Sequence, residues 1–233
     1  MDISKIIQLC SLNEDELKTN IIKFLKKSKY KNIYIDENYI IAEGDLPICL
    51  IAHMDTVFPK PPDKDSFFYD KRKKVLWSPE GAGFDDRAGI YAIMTIVSKG
   101  FRPHIIFTNY EELGCIGARF LIEDIKKAPF KCKALIQLDR AYMNDMVFYS
   151  CCNKEFEEYI GKFNFIKDTG SYSDISVIAP AWGIAAVNLS IGYAEEHTTN
   201  ERLYCSCCDK TIEKVIDILK NINKMPYFKF DFL

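Results

Sequence analysis

The chain has 233 residues, enough to bury one substantial core, and its 31 Lys and Arg against 33 Asp and Glu give a formal charge of -2. With a pI near 6.0 there is no basic excess to suggest nucleic acid, and the short runs at Lys26-Lys27 and Lys71 to Lys74 read as solvated surface. The N-terminal segment lacks the basic start and long apolar stretch of a secretion signal, and no apolar run approaches the ~20 residues of a membrane span.

Asn13 followed by Glu16 is a capping box that predicts a helix over Glu14 to Lys27. Ile33 to Ile41 reads as a hairpin turning at Asp36-Glu37-Asn38. Ile48 to Ala52 is the first of four short continuous apolar runs of the kind a buried central strand needs. The others are Ile105 to Phe107, Ala134 to Leu138 and Ile184 to Leu189. Phe58 to Asp70, with Pro59, Pro61 and Pro62, is predicted as a surface loop. Amphipathic helices are predicted over Asp86 to Ser98, Cys115 to Lys126 and Asp209 to Asn221. The nine cysteines, an odd number, suit free thiols in a reducing compartment, so the chain is expected to be soluble and cytoplasmic. Cys205, Cys207 and Cys208 lack the paired spacing of a zinc ribbon, and no second cluster answers them. The alternation predicts a three-layer α/β fold, a mostly parallel mixed sheet with helices on both faces, as one domain over 1–233. Periodicity does not order its strands.

The informative feature is where the polar residues fall. The first apolar run leads directly into His53-Met54-Asp55, the second reaches Glu111-Glu112, and the third ends at Asp139. The fourth is followed by a loop carrying His197. Asp85-Asp86 lies between the flexible Gly81-Ala82-Gly83 and a helix. Taken singly, each has a plain reading: a structural histidine, a surface acid pair, a helix N-cap. Together they collect at the carboxyl ends of strands, where open α/β sheets bind ligands. Two imidazoles and three carboxylates can hold two divalent ions ~3.5–4 Å apart with a shared water. Such ligands suit zinc, cobalt or manganese better than calcium or copper. Asp55, two residues past His53, can accept the other imidazole N–H and orient the ring. Of the adjacent Glu111 and Glu112, one can bind metal while the other takes a proton. His104 begins its strand and is read as structural.

These residues resemble the cocatalytic metallo-exopeptidases: bacterial leucine-type aminopeptidases, peptidase T, glutamate carboxypeptidases and acetylornithine deacetylase. The resemblance runs from about Leu46 to the C-terminal helix. It rests on LIAHMDTV, GAGFDDRAG, NYEELGCIGA, LIQLD and EEHTTNE. It implies a zinc-exopeptidase-like fold with His53 and Asp139 on one metal, Glu112 and His197 on the other, and Asp85 between them. Asp55 would orient His53. Glu111 would deprotonate the bridging water and later protonate the leaving amine. The bond after the bridging Asp is often cis in this group, which here is Asp85-Asp86. Relatives insert a lid or dimerisation domain between the positions of Asp139 and His197, or a domain between those of His53 and Asp85. Here those intervals are 58 and 32 residues, so a lidless catalytic domain is expected. Tyr172 in GSYSDI is then the candidate oxyanion donor, and Asp174 a candidate contact for a substrate amine.

The expected function is a di-metal exopeptidase of the aminopeptidase or dipeptidase kind, acting on short peptides. The alternatives are an N-acyl amino-acid amidohydrolase with the same site and a non-catalytic binding protein that keeps the fold.

Overall fold

The computed structural model describes residues 1–233. Its elements begin with α1 (Ile3–Cys10), α2 (Glu14–Lys27), β1 (Ile33–Ile35), β2 (Tyr39–Ala42), β3 (Leu46–His53), β4 (Phe68–Asp70) and β5 (Val75–Trp77). There follow α3 (Phe84–Ser98), β6 (Pro103–Thr108), α4 (Ile116–Asp124), β7 (Leu135–Arg140), β8 (Asp145–Val147), α5 (Lys154–Gly161) and β9 (Ile166–Lys167). The chain ends with α6 (Asp174–Trp182), β10 (Ala186–Ser190), β11 (Tyr193–Ala194), β12 (Arg202–Tyr204) and α7 (Cys205–Lys220).

The main sheet has eight strands in the order β1-β2-β6-β3-β7-β10-β8-β9. Its centre, β6-β3-β7-β10, is parallel, while β1-β2, β2-β6 and β10-β8 are antiparallel. The period-2 pleat divides each central strand between two helical layers. Ile48, Leu50 and Ala52 of β3 face a core of 52 residues that includes the buried sides of α1, α2, α3, α5 and α7. Cys49 and Ile51 face a second core of 15 residues under α4 and α6. With both faces covered, the central strands read as continuous apolar runs, which is why they are visible in sequence. α2 begins where expected. The Asn13 side chain accepts from the Glu16 N–H at 3.0 Å and Glu16 accepts from the Asn13 N–H at 3.1 Å. Leu17, Ile21 and Leu25, one turn apart, bury its inner stripe. No helix is long and apolar enough to cross a membrane.

Several expectations are corrected. Phe58 to Asp70 is not loop throughout, because its last residues are β4, which joins β5, β12 and β11 in a second, antiparallel sheet of four strands. These strands of two or three residues are too short to show a period. α7 starts at Cys205 rather than Asp209, since β12 runs straight into it and Cys205 and Cys208 are buried. α4 ends at Asp124, short of Lys126. α3 is traced from Phe84, although Asp85 and Asp86 keep non-helical dihedrals and the peptide between them is cis. α1, α5, α6, β8 and β9 are not among the expected elements.

Candidate metal centre

Three central strands deliver most of the site. β3 ends at His53, the loop after β6 carries Glu111 and Glu112, Asp139 lies at the end of β7, and Asp85 enters from the non-helical first turn of α3. His197 sits on the loop between β11 and β12, whose pairing of Ala194 with Arg202 closes that loop as a hairpin. Residues 58 apart in sequence are thereby brought to one point. The Asp85 carboxylate lies between the two imidazoles, with Oδ1 3.0 Å from His53 Nε2 and Oδ2 3.2 Å from His197 Nε2. Asp139 Oδ1 is 3.4 Å from His53 Nε2, and Glu112 Oε2 is 3.0 Å from His197 Nε2. The five expected ligand side chains thus form two half-sites sharing Asp85. Donors ~2.1 Å from a tetrahedral ion stand roughly 3.4 Å apart, so the spacing fits a divalent cation in each half. Glu112 Oε1 is buried with no partner, a spare lone pair in the same place. Donor atoms of His53, Asp85 and Glu112 all lie within 4.8 Å of one another. So do those of His53, Asp86 and Asp139, but Asp86 already accepts the His53 and Gly89 backbone N–H groups and is fully buried.

The electrostatics ask for positive charge. Burial pushes Glu111 up to about 9, with Asp139 adding to it and His53 opposing. Burial likewise lifts Asp139 to about 6. Against the cost of burial, hydrogen bonds from His197 and His53 hold Asp85 well below the carboxylate range. Hydrogen bonds to Asp85 and Glu112 raise His197 to about 11. The acids therefore draw protons onto both imidazoles, and cations bound there would displace those protons.

Asp55 does more than face one imidazole. Its Oδ1 lies 3.2 Å from His53 Nδ1 and accepts from the Glu111 N–H at 3.0 Å, while Oδ2 accepts from the Glu112 N–H at 3.1 Å. Glu111 is buried beside the half-sites, and its carboxylate accepts a hydrogen bond from Cys115 Sγ at 3.6 Å. Tyr172, 54% exposed, lines the same cleft as Glu111, Glu112 and His197. Asp174 does not line it. The expectation of a substrate contact is corrected, because Asp174 is fully buried at the start of α6 and accepts from the Thr108 hydroxyl. Burial pushes it up to about 7. His104 is remote, at the first residues of β6. Its Nδ1 accepts from the Gly44 N–H, Nε2 donates to the Lys131 carbonyl, and the ring stacks on Phe130 at 3.9 Å.

Other supports escaped the sequence reading. Asp139 Oδ2 accepts from Gln137 and the Ser173 hydroxyl, and Oδ1 from the Tyr193 hydroxyl. The Asn188 side chain bonds both the N–H and the carbonyl of Asp139. Gln137 and Asn188 were detectable, as polar interruptions in otherwise apolar strands. Glu201, fully buried, accepts from the Asp85 N–H at 2.9 Å. It closes the EEHTTNE segment, where only His197 was given a role. Around the site the backbone also takes uncommon forms: Tyr110, Cys115, Tyr142, Tyr149, Glu195 and His197 all have positive φ, a concentration typical of functional loops.

The sequence model of peptidase family M28 matches residues 40–209. The chain is 38% identical over 65 residues to the uncharacterized protein YqjE of Bacillus subtilis (strain 168); that stretch is 28% of this chain and 17% of that relative. Aminopeptidase PepT from Bacillus cereus ATCC 10987 superposes with a TM-score of 0.74 at 16% identity, covering 95% of this chain and 98% of that one. A tripeptidase from Staphylococcus aureus subsp. aureus Mu50 gives 0.72 at 14% identity, with 94% and 97% covered. At these identities the likeness is one of fold. The match at the level of sequence motifs spans β2 to the first turn of α7 and takes in every candidate ligand, and the chain belongs to peptidase family M28.

Proposed function

We propose that residues 1–233 form one catalytic domain, a two-metal exopeptidase of the aminopeptidase or dipeptidase kind acting on short peptides. The observation that carries this reading is the division of Asp85 between two imidazoles, each flanked by its own second carboxylate. His53 and Asp139 would hold one ion, Glu112 and His197 the other, and Asp85 both. The mixed imidazole and carboxylate set suits zinc, with cobalt or manganese as substitutes. Bound there, divalent ions supply carbonyl polarisation and a lowered pKa for the attacking water.

The chain's own groups do the rest. Asp55 fixes the His53 ring and, through two backbone N–H groups, the position of Glu111 and Glu112. Glu111 takes the proton of the attacking water and returns it to the leaving amine nitrogen. Its carboxyl is raised by burial, and nearby cationic charge would bring it back toward neutral pH, where a base is most effective. Tyr172 is placed at the cleft to donate its hydroxyl to the developing oxyanion. The Glu111 charge is the main cause of its raised phenol, which supports their closeness.

Metal analysis coupled to digestion of a short-peptide library tests the proposal, with wild type and Glu111→Gln in parallel. Glu111→Gln should keep the bound metal while turnover falls by about 10²–10⁴-fold. Unchanged turnover would remove Glu111 from the mechanism.

A further inference from the structure

One cation lines this acidic cleft besides His197. It is Arg140, the residue after Asp139 at the end of β7, and no lysine or other arginine lines the cleft, whose volume is about 220 Å³. The one hydrogen bond of its side chain is from Nη2 to Asp168, which is 48% exposed. Nε is buried without a partner, and Nη1 donates to nothing. A half-exposed ion pair of this kind orients the guanidinium more than it neutralises it. Asp145, beside Arg140 on β8, is only partly buried, and burial raises its carboxyl.

The space in front of Nη1 is kept open by Gly170. A Cβ there would lie 3.5 Å from Arg140 Nη1, 3.0 Å from Val147 Cγ1 and 3.2 Å from Tyr149 Cε1. Any side chain at residue 170 would crowd the end of the cleft that Arg140 occupies. The distance to the chemistry is bounded by the chain itself. Arg140 follows Asp139 directly, so its Nη1 lies at most about 15 Å from the Asp139 carboxylate. A bound peptide advances about 3.5 Å per residue. Arg140 therefore stands no more than about four residues from a bond held at Asp139.

We infer that Arg140 binds the free α-carboxylate of the substrate, so that the enzyme acts on dipeptides and tripeptides rather than on the ends of long chains. The inference rests on the peptidase reading above. A guanidinium whose Nη2 is held by Asp168 presents Nη1 to a carboxylate oxygen in a fixed direction, as a single charge-assisted hydrogen bond. Exposed Tyr142 and Tyr172 at the same cleft offer apolar faces to the short substrate without reading its sequence.

The test compares zinc-loaded enzyme on Ala-Ala-Ala as the free acid and as the C-terminal amide. Wild type should favour the acid by roughly ten- to a hundredfold in kcat/KM, carried mainly by KM, since one charge-assisted hydrogen bond is at stake. Arg140→Met should bring the acid-to-amide ratio down toward one, and Arg140→Lys should retain part of the preference. Equal rates on acid and amide in wild type would overturn the role of Arg140 and leave the peptidase reading standing. So would an Arg140→Met that slows both substrates alike, the mark of a structural ion pair. Failure of the zinc-loaded enzyme to cleave either substrate would defeat the peptidase reading, and this inference with it.

Discussion

Replacing Asp55 by asparagine is the most informative single perturbation, because one carboxylate holds the His53 imidazole and the Glu111-Glu112 backbone at once. In the native chain its two oxygens accept the N–H groups of Glu111 and Glu112 at 3.0 and 3.1 Å, and Oδ1 also lies 3.2 Å from His53 Nδ1. The asparagine side chain offers a single acceptor oxygen, so one backbone N–H would face an amide NH₂. Asp55 is 4% exposed, so no water is free to replace the lost acceptor. An orphaned buried donor costs about 1–3 kcal/mol. Loss of charge assistance on the surviving bond adds about 1 kcal/mol. The metal-free Asp55→Asn protein should therefore lose about 2–4 kcal/mol, read from urea unfolding after chelation. Zinc affinity, measured by competition with a chromophoric chelator, should fall about 10–100-fold as the His53 ring loses its anchor. A stability loss under about 0.5 kcal/mol with unaltered zinc affinity would refute the reasoning.

Two further perturbations test the scaffold. Gly89→Ala would put a Cβ 2.2 Å from the Leu138 carbonyl and 2.5 Å from both Asp86 oxygens. Pushing α3 off β7 should cost about 3 kcal/mol or more in urea unfolding, and a loss under about 1 kcal/mol would show that this contact yields easily. His104 is held neutral by burial, which lowers its pKa below 6.5. The unfolded chain then binds the extra proton first, so stability falls as pH drops below 6.5. His104→Asn, which keeps an acceptor for the Gly44 N–H, should remove that part of the slope. Unfolding midpoints at about pH 7, 6 and 5 for both proteins measure it, and parallel profiles would contradict the assignment.

Much of the site was legible before any fold was known, because parallel strands covered on both faces are continuous apolar runs. His53, the Glu111-Glu112 pair and Asp139 each follow such a run at its carboxyl end. The α2 cap was equally plain, since Asn13 and Glu16 satisfy each other across three residues. The missed elements are short or mixed: β8, β9 and the strands of the second sheet are two or three residues long. Asp174 misled for a related reason. A polar Ser-x-Ser-Asp turn looks exposed, yet the fold tucks its acid beneath the cleft against Thr108, 66 residues away.

The amino-acid order alone therefore determined the layered α/β class, the central strands and the identity of the candidate ligands. Those properties are written in local apolar runs and in the residues that end them. Tertiary structure alone decided that Asp85 lies between His53 and His197, that Asp55 holds the Glu111 backbone as well as the imidazole, and that Glu201 caps the turn at Asp85 from 116 residues away. It also decided that Arg140 reaches an open corner of the cleft while Asp174 does not reach the cleft at all. Each depends on side chains distant in sequence meeting across a sheet edge, and no local periodicity encodes such a meeting.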